Sequence, residues 1–217
     1  MPKRFLAILG DYYHTGEHAL KSLEKTIKEY ANNISVEYIN VDHLTEGLET
    51  NPDAVILFKE NRLNPQDAKV HTWMSNYVER KICDYVESGG GWISWHSGLS
   101  SYQDLEEYSL MTRGYFKYHP KELQRVKYVV DPIQDYLSDL DHFEIVDEHY
   151  FVHCQEEETN VFLRSVSVDG TSIAGWNHEF GEGRVVCLTP AHLEEVLLDP
   201  NLNRLLAKLM AWSCKLI

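Results

Sequence analysis

Three histidines follow directly on segments that read as buried β-strands: His14 after Phe5–Leu9, His96 after Trp92–Trp95 and His192 after Val185–Leu188. Imidazole moves protons near neutral pH and ligates divalent metals. Three of them in one place would therefore serve either acid–base catalysis or a metal centre. His96 closes the passage Gly89-Gly-Gly-Trp-Ile-Ser-Trp-His-Ser-Gly98, which sets it on a sharp strand-to-helix turn. His192 is followed two residues on by Glu194, and a carboxylate beside an imidazole can fix its tautomer and stabilise its charged form. Plainer readings stand beside these. The chain carries 11 histidines, so some fall in loops by chance, and Glu194-Glu195 also reads as the acidic first turn of a helix.

The elements that would position these residues alternate between strand and helix. Phe5–Leu9 and Ala54–Phe58 are short continuous apolar runs, the pattern of parallel strands buried on both faces. Between them, Leu20, Leu23, Ile27 and Tyr30 recur at helical spacing over Glu17–Tyr30, and Ile34–Ile39 alternates as a strand. Pro65 opens an expected helix to about Ser88, with Val70, Trp73, Met74, Tyr77, Ile82, Tyr85 and Val86 as its apolar stripe and the three glycines as its stop. The stretch from Ser100 to Asp147 is less regular, with His119-Pro120 and Asp131-Pro132 as breakers. It contains strand patterns at Gln124–Val130 and Phe143–Val146. Val161–Val166 and Ile173–Trp176 read as antiparallel strands, Phe180–Arg184 as a hairpin turn, and Asn201–Ser213 as a closing amphipathic helix.

Alternating strands and helices imply right-handed crossovers and a mostly parallel sheet covered on both faces. Residues 1–217 are expected to form a single domain. In open sheets of this kind, ligands bind beyond the C-terminal ends of the parallel strands, the edge to which all three histidines would be delivered.

Composition excludes several classes of function. A formal charge of −14 with no basic cluster argues against nucleic acid as a partner. No apolar run approaches the ~20 residues of a membrane helix. The apolar run near the N-terminus stops at Gly10-Asp11, short of the roughly 7–15 residues of a signal-peptide core, so a cytoplasmic location is expected. The four cysteines, Cys83, Cys154, Cys187 and Cys214, show no metal-thiolate spacing and read as reduced thiols.

The same passages carry a family resemblance. The Gly89–Gly98 segment resembles the glycine-rich strand and His-Ser-Gly turn of the ThuA-like (trehalose-utilisation) family, and Asp147-Glu148-His-Tyr150 is similar to its Asp-Glu-x-Tyr element. Trp176-Asn-His-Glu-Phe-Gly-Glu-Gly-Arg-Val185, then Pro190-Ala-His192 and Asp199-Pro200, resembles its closing pattern, and Gly10-Asp-Tyr-Tyr-His14 its opening loop. Asp131-Pro132 and Pro190-Ala191 depart from the family's usual His-Pro and Pro-Gly or Leu-Gly.

The resemblance implies a flavodoxin-like three-layer α/β/α sandwich of the class I glutamine amidotransferase-like superfamily, with a mostly parallel central sheet and an antiparallel C-terminal extension. Amidotransferases of that class place a cysteine nucleophile on the turn that here holds His96. His192-x-Glu194 matches their later His-x-Glu, but an imidazole cannot replace the thiolate. The fold is expected without the amidotransferase chemistry.

The expected function is carbohydrate metabolism on a small sugar-like substrate. His96, His192 and Glu194 would be catalytic, and Tyr13, His14, Asp147, Glu148, Tyr150 and Trp176 would bind substrate. Tyr12, Tyr13 and Trp176 could stack on sugar rings or serve as packing aromatics. A metal-dependent version places zinc or another divalent metal on His14, His96 and His192, with a carboxylate from Asp147 or Glu148. The alternative class is a non-catalytic ligand-binding or interaction module. Glycoside hydrolysis by paired carboxylates from Asp147, Glu148 and Glu194 ranks below both. No membrane partner is expected, and the sequence is compatible with a homo-oligomer.

Overall fold

The computed structural model describes residues 2–131 and 134–217. Along the chain run β1 (Lys3–Leu9), α1 (Gly16–Tyr30), β2 (Ile34–Tyr38), α2 (Leu44–Glu49), β3 (Ala54–Phe58), α3 (Asn76–Glu87) and β4 (Gly91–Trp95). Then come α4 (Glu106–Thr112), β5 (Gly114–Tyr118), β6 (Gln124–Val130), β7 (Phe143–Asp147) and β8 (Phe151–Cys154). The chain closes with β9 (Asn160–Ser167), β10 (Gly170–Phe180), β11 (Gly183–Leu188), α5 (Glu194–Leu197) and α6 (Pro200–Ser213).

Nine strands form one sheet in the order β2-β1-β3-β4-β11-β10-β9-β6-β7, and β5 and β8 make a separate pair. The first five are mutually parallel; the rest pair antiparallel. This is the expected flavodoxin-like α/β/α arrangement with an antiparallel extension. β6 and β7 come from the middle of the sequence, so the extension is wider than its C-terminal residues. Following the pair directions, β7 runs the same way as β11, and its end reaches the same sheet edge as the ends of β1, β3, β4 and β11.

Each face of the sheet has its own core. Ala54, Ile56 and Phe58 of β3 pack with α1 and α6 on one side, while Val55 and Leu57 point to α2, α3 and α4 on the other. Such two-sided burial is why β3 reads as an unbroken apolar run rather than an alternation. The terminal helix starts at Pro200, with the Asp199 carboxylate accepting from the N–H groups of Asn201 and Leu202.

The expected helix from Pro65 is shorter than its apolar stripe suggested. It begins only at Asn76, after Ser75, whose hydroxyl accepts from the Val78 N–H. Residues 63–74 are instead a tied-down loop. The Asn64 side chain donates to Asp67 and to the Lys69 carbonyl and accepts from the His71 N–H. Asn side chains compete with helical backbone bonding in this way, and Val70, counted in the stripe, is exposed. The irregular middle holds α4 and β5, and β8 follows just after it; the sequence pattern revealed none of the three. The Pro132 of the Asp131-Pro132 breaker lies outside the described residues. None of the described helices is long and apolar enough to cross a membrane.

Candidate functional site

The parallel strand ends deliver His14, Glu60, His96 and His192 to one edge, and β7 adds Glu148. Two glycines make the turns close enough. Gly10 has φ +87°, and a Cβ on it would lie 2.8 Å from the Gly16 backbone nitrogen. At Gly98 a Cβ would lie 2.1 Å from the Leu57 carbonyl oxygen, so the His-Ser-Gly turn can lie against β3 only without a side chain there. His96 itself sits in the left-handed region, φ 48°. Such backbone positions in non-glycine residues concentrate at functional sites.

The three histidines converge. Ring centroids are 4.8 Å apart for His14 and His96, 4.9 Å for His14 and His192, and 5.9 Å for His96 and His192. The Glu148 carboxylate lies 3.6 Å from both His96 Nε2 and His192 Nδ1. One donor atom from each of His14, His96, His192 and Glu148 falls within a 4.8 Å cluster.

Hydrogen bonds set the tautomers behind this cluster. His96 Nδ1 lies 2.6 Å from the Thr189 carbonyl, which can only accept, so the ring carries its proton there and its lone pair on Nε2. His14 Nδ1 lies 2.7 Å from Asp11 Oδ1, which places the His14 lone pair on Nε2. His96 Nε2 and His192 Nδ1 are both buried without a hydrogen-bond partner among the described residues. Burial holds the His96 ring well below its ordinary pKa, and the neighbouring His14 adds to this. Burial also lowers His192, against the pull of Glu148. Both shifts favour the neutral ring, the form a ligand nitrogen must take.

Two aspartates hold the cluster from behind. Burial works to raise the Asp11 pKa, but the His14 ring and the Glu60 N–H outweigh it and hold the carboxyl below the usual range. Its Oδ1 also accepts from the N–H groups of Tyr13 and His14. Asp147 is fully buried and accepts from the N–H groups of His192 and Leu193, fixing the loop that carries His192. Burial pushes its pKa up to about 7, against those hydrogen bonds. Tyr150 stacks on His96 with ring centroids 4.2 Å apart.

A pocket of about 550 Å³ opens beside the cluster, with Tyr13, Glu60, Arg62, Phe116, His119 and Tyr150 among its walls. His14, Glu148 and His192 line it too. Of the residues expected at the site, Tyr13, His14, His96, His192, Glu148 and Tyr150 are brought together, and Asp147 supports them from the interior. Glu194 is turned away: its carboxylate binds Lys21 at 2.8 Å and approaches His18 at 3.4 Å. The carboxylate beside His192 is Glu148 instead, because Glu194 opens α5 with its side chain toward α1. Trp176 is fully buried on β10 and donates from Nε1 to the Thr112 carbonyl, as a packing residue of the core.

Sequence reasoning missed Asp11, Glu60, Arg62 and His119. Glu60 stands two residues past β3, so the strand-end rule that found His14 would have found it. His119 was read only as part of a breaker. The four cysteines are remote from the turn after β4 in sequence; Cys187 lies within β11, Cys83 on α3 and Cys154 on β8.

A family model described as ThuA, trehalose utilisation, matches residues 9–213. The fold is similar to that of a ThuA-like protein from Parabacteroides merdae ATCC 43184, with a TM-score of 0.73 at 14% identity, covering 99% of this chain and 90% of that one. A ThuA-like protein from Bacteroides uniformis ATCC 8492 gives 0.70 at 18% identity, covering 98% and 91%. A β-galactosidase from Rahnella sp. R3 gives 0.64 at 13% identity, covering all of this chain but 32% of that one. At these identities the likeness is one of fold. No curated protein sequence matches the chain significantly.

Proposed function

The chain belongs to the ThuA trehalose-utilisation family, and from that premise we propose that it is a metal-dependent enzyme acting on a sugar or sugar derivative. One observation carries the reading: His14, His96, His192 and Glu148 bring four donor atoms within 4.8 Å of one another. Two of their buried nitrogens have no other partner among the described residues. Leaving a buried nitrogen unpaired costs about 1–3 kcal/mol, and a cation between the rings would remove that cost for both.

The donor set fits such a group. Three imidazoles and one carboxylate suit zinc or a neighbouring divalent transition metal better than magnesium or calcium, which prefer all-oxygen sites. Asp11 behind His14 and the Thr189 carbonyl behind His96 are the outer partners that orient ligand imidazoles and raise their basicity. When bound, a cation of this kind supplies a Lewis acid for a substrate oxygen and lowers the pKa of a water.

The protein's own residues do the rest. Tyr150 and the β3 end wall off His96 from solvent, so the cluster opens only toward the pocket. Tyr13 and Phe116 offer aromatic faces to a sugar ring, while Glu60 and Glu148 offer acceptors for its hydroxyls. With His96 at the amidotransferase nucleophile position, acyl transfer from glutamine is not part of this reading. Purified, metal-loaded protein should turn over a member of a screened panel of sugars and glycosides. Chelation, or joint replacement of His96 and His192 by alanine, should abolish that turnover. Turnover that survives both treatments would sink the proposal.

A further inference from the structure

Glu60 is 1% exposed, yet it lines the pocket. Its Oε2 accepts from Arg62 Nε at 3.0 Å and Nη2 at 2.7 Å, and from the Ser101 hydroxyl at 3.4 Å. Its Oε1 is buried without a hydrogen-bond partner among the described residues. A buried carboxylate oxygen left bare is costly, so this one is poised for a donor that arrives with a ligand.

The segment is built to hold that oxygen in place. The Glu60 N–H donates to Asp11 Oδ2 at 2.9 Å, tying it to the aspartate that holds His14. The Glu60 carbonyl accepts from Trp73 Nε1. The next residue, Asn61, is locked to the Ser101 carbonyl through its side-chain amide and to the Met74 N–H through Oδ1. Binding residues supported in this way keep their geometry before the ligand arrives.

Charge sharpens the reading. Arg62 is the one arginine or lysine among the described residues lining the pocket, and its guanidinium is already engaged by Glu60. Two positive charges of a divalent cation in the histidine cluster would be matched by Glu148 and Asp11. His119, 3.7 Å from the Glu148 carboxylate, is the other basic side chain at the opening, so no lysine or arginine among the described residues is left over for a phosphate or carboxylate, whose recognition ordinarily needs one.

We propose that Glu60, clamped by Arg62, is a specificity-determining residue: its Oε1 accepts a hydrogen bond from a hydroxyl of a neutral polyol, and its hold on Arg62 turns away phosphorylated or carboxylated sugars. This rests on the pocket's being the sugar site proposed above and adds the residue that selects by charge. A hydroxyl seated on a carboxylate discriminates strongly, because a ligand lacking it leaves the buried acceptor unpaired.

The test is calorimetric or ligand-observed NMR binding of neutral mono- and disaccharides and their phosphate esters to the whole protein, with metal content measured on the same samples. Wild-type protein should bind a neutral sugar and bind its phosphate ester more weakly. Glu60→Gln should weaken the neutral sugar roughly tenfold or more, the scale of a lost hydrogen bond to a charged group. It should strengthen the ester, because Arg62 is released, and leave metal content unchanged. That last reading separates failure of this inference from failure of the metal proposal. If Glu60→Gln does not fold, Arg62→Gln, at a half-exposed position, should make the pocket more acidic and weaken the ester further. A neutral-to-ester ratio unchanged by Glu60→Gln, tighter binding of the ester by wild type, tighter binding of the ester by Arg62→Gln, or no neutral sugar bound at all would each overturn the proposal.

Discussion

Replacing Asp11 by asparagine tests how the site is held. The Asp11 side chain is inaccessible to solvent, and its two oxygens serve four donors. Oδ1 takes the His14 ring at 2.7 Å and the N–H groups of Tyr13 and His14 at 2.9 and 3.1 Å, and Oδ2 takes the Glu60 N–H at 2.9 Å. Asparagine has one carbonyl oxygen. Turned to the Oδ1 position it keeps the His14 side but presents an NH₂ to the Glu60 N–H, donor against donor. Losing a charge-assisted bond of this kind costs about 1.5–3 kcal/mol, so urea unfolding of the metal-free variant should show destabilisation of that order. The weaker acceptor behind His14 should also lower metal affinity by roughly 10–100-fold, the usual scale for the outer partner of a ligand histidine, read by competition with a chromophoric chelator. If stability shifts by less than about 0.5 kcal/mol and affinity by less than about twofold, Asp11 is not the support described here.

Other expectations follow from the same geometry. Glu148→Gln should lower metal affinity at least about tenfold, on the scale of altered support at such sites, whereas Glu194→Gln should leave it unchanged; equal effects in a metal titration would refute the assignment of Glu148. Gly98→Ala should destabilise by about 3 kcal/mol or more, since its Cβ would enter backbone at 2.1 Å, and a variant with wild-type melting would contradict the close approach. His178 is buried on β10 with Nε2 2.8 Å from the Met111 carbonyl, and burial lowers its pKa to about 4. Because the folded value lies below the unfolded one, the unfolded chain takes up the proton first. This contribution to stability is intact above about pH 6.5 and is lost as pH falls toward 4, to the extent of about 3 kcal/mol. His178→Gln should flatten that part of the acid limb, and an unchanged limb in pH-dependent denaturation would refute it.

The features legible in the sequence were those set by one strand and its exit. Continuous apolar runs fixed β1, β3, β4 and β11 because burial on both faces leaves no polar position in them. A parallel sheet then forces their ends to one edge, which is why the sequence alone points to His14, His96 and His192. What joins two distant segments left no local trace. Glu148 reaches the cluster because β7, separated from β11 by three antiparallel strands, ends at the same sheet edge as the parallel set, and nothing local at Asp147-Glu148 records that direction. Glu194 looked like the partner of His192 because it was near in sequence. A helix start turns its side chain elsewhere, and Lys21 and His18, far along the chain, receive it. The Asn64 turn shortened α3 by a side-chain competition that apolar spacing does not register.

Whether His14, His96, His192 and Glu148 hold a metal ion is decided by elemental analysis of the protein. Protein purified without a histidine tag, dialysed and then offered zinc, manganese, iron(II) or cobalt, should hold about one divalent ion per chain. Joint replacement of His96 and His192 by alanine should remove it. No stoichiometric metal, together with a melting temperature that none of these ions changes, would contradict the account.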